Sequence, residues 1–147
     1  MAKFLYIMAI ALTFFVAKND STMFNAFHVH ITSRLGAGKT LTVRCKSGDD
    51  DLGIHKLNPG ERYTINFKLN FFATTLFWCD TSPNKTHYRN FRVFWWGDDF
   101  MLERCSPRNN CYWIFKNEGV YLRNIKREVN EFRYTWKRKY SKKSNLN

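Results

Sequence analysis

The chain has 147 residues and a formal net charge of +12, from 24 Lys and Arg against 12 Asp and Glu, and 44% of it is hydrophobic. Once an N-terminal leader is set aside, that length excludes more than one sizeable core. No period of tens of residues repeats, which excludes a solenoid.

The chain opens MAKFLYIMAIALTFFVAKNDS. Lys3 precedes an almost unbroken apolar run from Phe4 to Val16. That run has the length of a signal-peptide core and falls short of the roughly 30 Å of a bilayer interior. Residues 1–26 are therefore expected to be a signal peptide, cleaved between positions 17 and 26. Residues 27–140 are expected to form one extracellular, soluble domain, and residues 141–147 a polar, disordered tail.

The domain reads as strand after strand. FHVHITS places Phe27, Val29 and Ile31 on one face and His28, His30 and Thr32 on the other. TLTVRCK aligns Leu41, Val43 and Cys45; RYTINFKLN aligns Tyr63, Ile65, Phe67 and Leu69. TTLFWCD is a short apolar run, and NFRVFWW alternates Phe91, Val93 and Trp95. CYWIFK aligns Cys111, Trp113 and Phe115, GVYLRN follows a glycine turn, and EFRYTWKRKY aligns Phe132, Tyr134 and Trp136. Period two and strand-forming residues dominate, and no 3.6-residue apolar stripe is evident. Turn signals at Gly36-Ala37-Gly38, Asn58-Pro59-Gly60, Ser82-Pro83-Asn84, Gly97-Asp98-Asp99, Ser106-Pro107 and Asn117-Glu118-Gly119 separate the runs. The expectation is an all-β fold, a small disulfide-bonded β-sandwich of about eight antiparallel strands.

Cys45, Cys79, Cys105 and Cys111 make an even count in an oxidising compartment, which implies two disulfides in any of three connectivities. No C-x-x-C pair supports zinc. Cys45 and Cys79 sit in strand-like runs while Cys105 and Cys111 flank a turn. The expectation is long-range bonds, each joining one strand cysteine to one of the later two.

Several motifs offer chemistry. GAGKT, Gly36 to Thr40, lacks the first glycine of a phosphate loop and runs into a strand instead of a helix, so it reads as a hairpin turn. The histidines are His28, His30, His55 and His87. His28 and His30 share a strand face, the minimum for acid–base work in a secreted ribonuclease or for a metal pair. A solvent-facing strand His is the ordinary alternative. Asn84-Lys85-Thr86 is a glycosylation sequon in a turn, and Asn19-Asp20-Ser21 lies near the cleavage region. In FRVFWW, Phe94 and Trp96 fall opposite Phe91, Val93 and Trp95; beside Arg92 they offer a contact patch for a partner, or are covered by loops. From Arg123 to Lys143 there are nine Lys or Arg against Glu128 and Glu131, a basic end suited to pectin and other acidic polysaccharides and anionic membrane faces as well as to nucleic acid. Asp49-Asp50-Asp51-Leu52-Gly53 lacks the alternate-position spacing of a calcium loop, and adjacent aspartates on a turn point apart. No catalytic residues, metal or cofactor are expected.

The stretch VRCKSGDDDLGIHKLNPGERYTINFKLNFFATTLFWC closely resembles the plant self-incompatibility protein family, the S-protein homologs. The matching elements are Val43 and Cys45, Lys46-Ser47, the run Asp49 to Gly53, Leu57, Gly60, the Tyr63/Phe67 strand and Leu76-Phe77-Trp78-Cys79. Phe91-Val93-Phe94, Cys105, Cys111, Trp113 and Gly119-Val120-Tyr121 continue the match. The wide spacing of Cys105 and Cys111, the aromatic FRVFWW and the long basic end depart from the family pattern. The resemblance implies a small secreted β-sandwich. It also implies an extracellular, non-enzymatic ligand for a plasma-membrane receptor on another plant cell, acting as a monomer. From the basic charge an anionic cell-wall polysaccharide is a further expected partner, and nucleic acid is not expected to be one. A basic defence protein and a ribonuclease-like hydrolase are the other readings. On the family reading the aspartates brace the turn that leaves the Cys45 strand through side-chain to backbone hydrogen bonds.

Overall fold

A computed structural model describes residues 26–69, 75–97, 99–105 and 109–140. The leader, the Asn19 sequon, the Ser106-Pro107 turn and the tail lie outside the described residues. The elements are β1 (Ala26–Arg34), β2 (Leu41–Lys46), β3 (Asp51–Leu57), β4 (Arg62–Lys68), β5 (Leu76–Ser82), β6 (His87–Trp95), α1 (Asp99–Cys105), β7 (Asn110–Lys116), β8 (Gly119–Asn124), β9 (Val129–Tyr134) and β10 (Lys137–Arg138). Two five-stranded sheets, ordered β4-β1-β7-β8-β9 and β10-β6-β5-β2-β3, form a β-sandwich.

The strand runs fall where alternation places them. Phe27, Val29 and Ile31 of β1, Leu41, Val43 and Cys45 of β2, and Cys111, Trp113 and Phe115 of β7 are all buried between the sheets. The strand count is larger than expected, because DLGIHKL pairs with β2 as β3 and Lys137–Arg138 adds β10. The sheets are also not wholly antiparallel: β1 runs parallel to β7, from His28 opposite Asn110 to Arg34 opposite Lys116. A helix was not expected, and α1 has only seven residues, with Met101 and Cys105 buried. So short an element shows no readable periodicity.

Two β-bulges revise the assignment of faces. Phe77 pairs with Phe94 and Trp78 with Arg92, so Val93 is an extra residue in β6. An extra residue breaks the two-residue period. Val93 and Phe94 both turn inward, 0% and 1% exposed, which corrects the placement of Phe94 on the face opposite Val93 and removes it from the contact-patch alternative. Likewise Val120 pairs with Tyr134 and Tyr121 with Phe132, leaving Arg133 extra in β9. Tyr134 therefore packs on Phe91 at 4.8 Å between ring centroids, while Phe132 turns out, 50% exposed, edge-on to Tyr121. At the start of β8 the Tyr134 carbonyl passes so close that a Cβ on Gly119 would lie 2.4 Å from it. Only glycine admits that approach.

The first bulge meets the core tryptophan. Trp113 on one sheet donates its indole N–H to the carbonyl of Val93 on the other at 2.9 Å, and Phe91 packs on its ring at 4.8 Å. A hydrogen bond between sheets, buried among apolar groups, is strong and fixes their mutual register.

The disulfides join Cys45 to Cys79 and Cys105 to Cys111, which corrects the expected long-range pairing of each strand cysteine with a later one. Cys45 and Cys79 are cross-strand partners on β2 and β5 with Cα atoms 4.0 Å apart. Cys105 closes α1 next to the start of β7, and its Cα lies 4.6 Å from that of Cys111. By loop-closure entropy the two bonds, spanning 34 and 6 residues, stabilise by about 4 and about 2 kcal/mol.

Trp113→Phe removes the indole N–H and leaves the buried Val93 carbonyl unpaired. Urea denaturation of the oxidised protein should show a loss of about 1–3 kcal/mol. A loss near zero would mean that the bond does not hold the sheets in register.

Candidate functional site

The outer face of the β4-β1-β7-β8-β9 sheet gathers the histidines singled out by pattern. Alternation turns His28, His30, Thr32 and Arg34 of β1 away from the core. The register sets His30 between Thr64 of β4 and Tyr112 of β7. Its Nδ1 lies 2.9 Å from Thr64 Oγ1 and its Nε2 2.7 Å from Asn110 Oδ1. Because an amide oxygen only accepts, the proton sits on Nε2 and Nδ1 accepts from Thr64. The ring stacks on Tyr112 at 4.6 Å and 14°. Burial lowers the His30 pKa, against the hydrogen bond it donates to Asn110, and the Arg62 and His28 charges lower it further. His28 lies beside it, ring centroids 6.2 Å apart, with Nδ1 2.6 Å from Asn66 Oδ1. Both nitrogens of His30 are engaged by neutral partners, so the ring is built in as a neutral structural group. An acid–base or metal role would need an open nitrogen there.

Beyond the histidines the same face turns basic. Arg62 donates from Nε to Thr32 Oγ1 at 3.1 Å, and its guanidinium lies 5.6 Å from the Tyr112 ring centroid. Arg34 and Arg123 stand on the same side of the sheet and share a groove with Arg62 and Tyr112.

The acidic run sits at the far sheet's edge, in the connection from β2 to β3. Asp50 donates its backbone N–H to Ser47 Oγ at 3.1 Å, and Ser47 N–H donates to the Asp50 carbonyl at 2.8 Å. Asp51 opens β3 and forms an ion pair with Arg44 of β2, accepting from its Nε and Nη2. Asp51 Oδ1 also accepts from Gly53 N–H at 3.1 Å. Gly53 has φ 79°, in the left-handed region, where the β2–β3 ladder is irregular. Leu52 packs against the core, and its carbonyl lies 2.9 Å from His55 Nε2. The turn thus spans Ser47 to Asp50, while Asp51, Leu52 and Gly53 already belong to a strand. Of the carboxylates, Asp51 does the bracing; Asp49 and Asp50 are exposed.

Residues 28–136 match the family model of the plant self-incompatibility protein S1. The chain belongs to the plant self-incompatibility S1 family. It is 40% identical to S-protein homolog 74 of Arabidopsis thaliana over 98 residues, 67% of this chain and 63% of that one. Identity to S-protein homolog 1 of the same plant is 38% with the same coverage. The chain thus spans a little under two thirds of the length of these two relatives. Self-incompatibility protein S1 of Papaver rhoeas is 30% identical over 117 residues, 80% of this chain and 81% of that one. A solved structure of a self-incompatibility protein homologue superposes with a TM-score of 0.55 at 17% identity, over 78% of this chain and 100% of that one, and shares the fold. Its family is described as small, highly stable, secreted plant proteins.

The Asp49 to Gly53 corner and the Cys111-x-Trp113 pair stand at structural positions, one bracing β2 to β3 and the other joining the sheets. The Arg92, Phe94, Trp96 trio does not form one patch. Arg92 is exposed and reaches over Trp95, its guanidinium 5.2 Å from the ring centroid. Phe94 is core, and Trp96 packs edge-on against Phe27 at 6.0 Å. Asn84 is exposed in the β5–β6 turn, and its Oδ1 accepts from the Thr86 and His87 N–H groups at 2.9 and 2.8 Å. Sequence reasoning missed the grouping of Arg34, Arg62 and Arg123, which lie on separate strands and share no motif.

Arg44 first, then the Gly53 N–H, hold the Asp51 carboxyl down at about 2, below its ordinary 3.8. A depressed folded-state pKa stabilises above the unfolded value and is lost as pH falls through the folded one. Asp51→Asn should therefore lower the melting temperature at neutral pH and flatten its decline between about pH 4 and 2. The Asp49→Asn/Asp50→Asn double variant should change neither, and an equal effect from it would defeat the assignment to Asp51.

Proposed function

We propose that the protein is a secreted recognition ligand, read by a plasma-membrane receptor on another plant cell, and that the outer face of the β4-β1-β7-β8-β9 sheet is its contact surface. The observation that carries the reading is that this face displays His28, His30, Tyr112 and three arginines on strands tied into a disulfide-stapled sandwich. A preformed, rigid display loses little entropy on binding. Arginine and tyrosine are the residue types that anchor protein interfaces. The poppy relative, whose name is self-incompatibility protein S1, aligns over most of both chains and supports a role in recognition between cells. In this reading the leader of residues 1–26 exports the chain, Asn84 carries an N-glycan, and the ligand acts as a monomer.

The basic C-terminal run favours this reading over a membrane-active defence protein. Its charges are dealt out to different places. Arg123 joins the groove, Arg127 pairs with Glu103 at 4.0 Å, Arg133 covers the Phe100 ring at 4.2 Å, and Lys137 and Arg138 pair with β6.

Saturation binding of the labelled, oxidised mature protein to pollen tubes and other plant cells tests the proposal. Binding should saturate on a particular cell type and persist at about 0.15 M salt, where exposed charges are screened beyond roughly 8 Å. Binding that never saturates and vanishes with salt would contradict it.

A further inference from the structure

The groove on this sheet face has a volume of about 400 Å³. Its cations come from three strands: Arg34 from β1, Arg62 from β4 and Arg123 from β8. Across the sheet the order is β4, β1, β7, β8, so the backbones of Arg62 and Arg123 stand three strand spacings apart, about 14 Å. The charge is spread along the groove instead of gathered at a point. Among the described residues the ion pairs are Arg44–Asp51, Arg104–Glu103, Arg104–Glu131 and Arg127–Glu103, and none uses a groove arginine. Arg123 reaches an amide, donating to Asn130 Oδ1 at 3.5 Å. Three guanidinium groups with no carboxylate partner, lining one cavity with an aromatic ring between them, are poised for oxyanions.

The rest of the lining narrows the ligand. Tyr112, Ile114 and Ile125 offer apolar surface between the arginines, and Thr32 and Asn130 offer a hydroxyl and an amide. The groove also lies on a sheet face, where the backbones of β1, β7 and β8 are paired on both sides. An extended peptide recognised through its backbone needs a free sheet edge, which this face does not provide. A chain of acidic sugars supplies repeated carboxylates, apolar ring faces and hydroxyls, and needs no backbone partner. Glu128 stands in the same lining as the one carboxylate among these residues, and it opposes an anion.

We infer that the Arg34/Arg62/Arg123 groove binds a linear, carboxylate-bearing oligosaccharide. The inference rests on the reading of this face as the contact surface and names the chemistry it takes. The ligand is a uronate chain lying across β4, β1, β7 and β8, each guanidinium meeting a carboxylate and Tyr112 underlying a sugar ring.

The test is calorimetric binding of a linear galacturonate oligomer to the oxidised protein at about 0.15 M salt. Arg34→Gln/Arg62→Gln/Arg123→Gln should weaken binding at least about tenfold, the scale of losing charge-assisted bidentate bonds. Lys46→Gln/Lys56→Gln/Lys85→Gln removes the same charge elsewhere and should stay within about twofold. The fully methyl-esterified oligomer and an oligoglutamate of equal charge should both bind more weakly than the free uronate. Glu128→Gln, which leaves every arginine in place, should tighten binding and serves if the triple variant melts. Equal losses in both charge-removal variants, equal binding of ester or peptide, or no effect of Glu128→Gln would overturn the inference. If the oligomer fails to bind while saturable, salt-resistant cell binding persists, the groove assignment falls and the recognition reading stands.

Discussion

The bond from the Trp113 indole to the Val93 carbonyl is the contact on which the arrangement depends. There the two sheets are pinned to each other rather than merely stacked. It is built from an irregularity: the extra residue in β6 places Val93 outside one-to-one pairing with β5 and turns Phe94 inward beside it. Phe27, Phe67 and Phe77 then close around Phe94 at ring-centroid distances of 5.3, 4.8 and, between Phe67 and Phe77, 4.7 Å. The Cys45–Cys79 bond staples the β2–β5 pair of the same sheet, and Cys105–Cys111 holds α1 against the start of the Trp113 strand. A buried polar bond of this kind favours one alignment of the sheets over others that bury similar area.

That alignment has a consequence on the outside. With Trp113 inward, Tyr112 must face outward, because neighbours on a strand point to opposite faces. The parallel pairing of β7 with β1 then sets Tyr112 beside His30, and the antiparallel pairing of β4 with β1 sets Thr64 beside the same ring. His30 and Asn110, 80 positions apart in sequence, come within 2.7 Å. The outer face of this sheet is therefore the reverse side of the core: the residues that join the sheets dictate which side chains stand opposite them.

Much of this was legible in the chain. Alternation in β1, β2 and β7 identified their core faces, because a regular strand writes its orientation into every second residue. The corner from Asp49 to Gly53 was legible as a motif, though its division into a Ser47–Asp50 turn and a strand beginning at Asp51 was not. What alternation could not show is a property of pairing rather than of a single strand. The bulges at Val93 and Arg133 exist only relative to β5 and β8, so alternation set Phe94 opposite Val93 and Phe132 on one face with Tyr134, and neither placement holds. The disulfide partners likewise follow from strand neighbours, β2 beside β5, and from a helix too short to announce itself. The groove was hidden for the same reason. Arg34, Arg62 and Arg123 converge through a sheet order that includes one parallel pair between distant segments.

The central claim is that this outer face, and not the opposite sheet, meets the partner. Arginine-selective chemical footprinting of the protein bound to receptive cell membranes tests it most directly. The expected result is protection of Arg34, Arg62 and Arg123 with Arg44 and Arg92, on the other sheet, still modified at the rate of the free protein. Protection of Arg44 and Arg92 with the groove arginines left reactive would contradict the account.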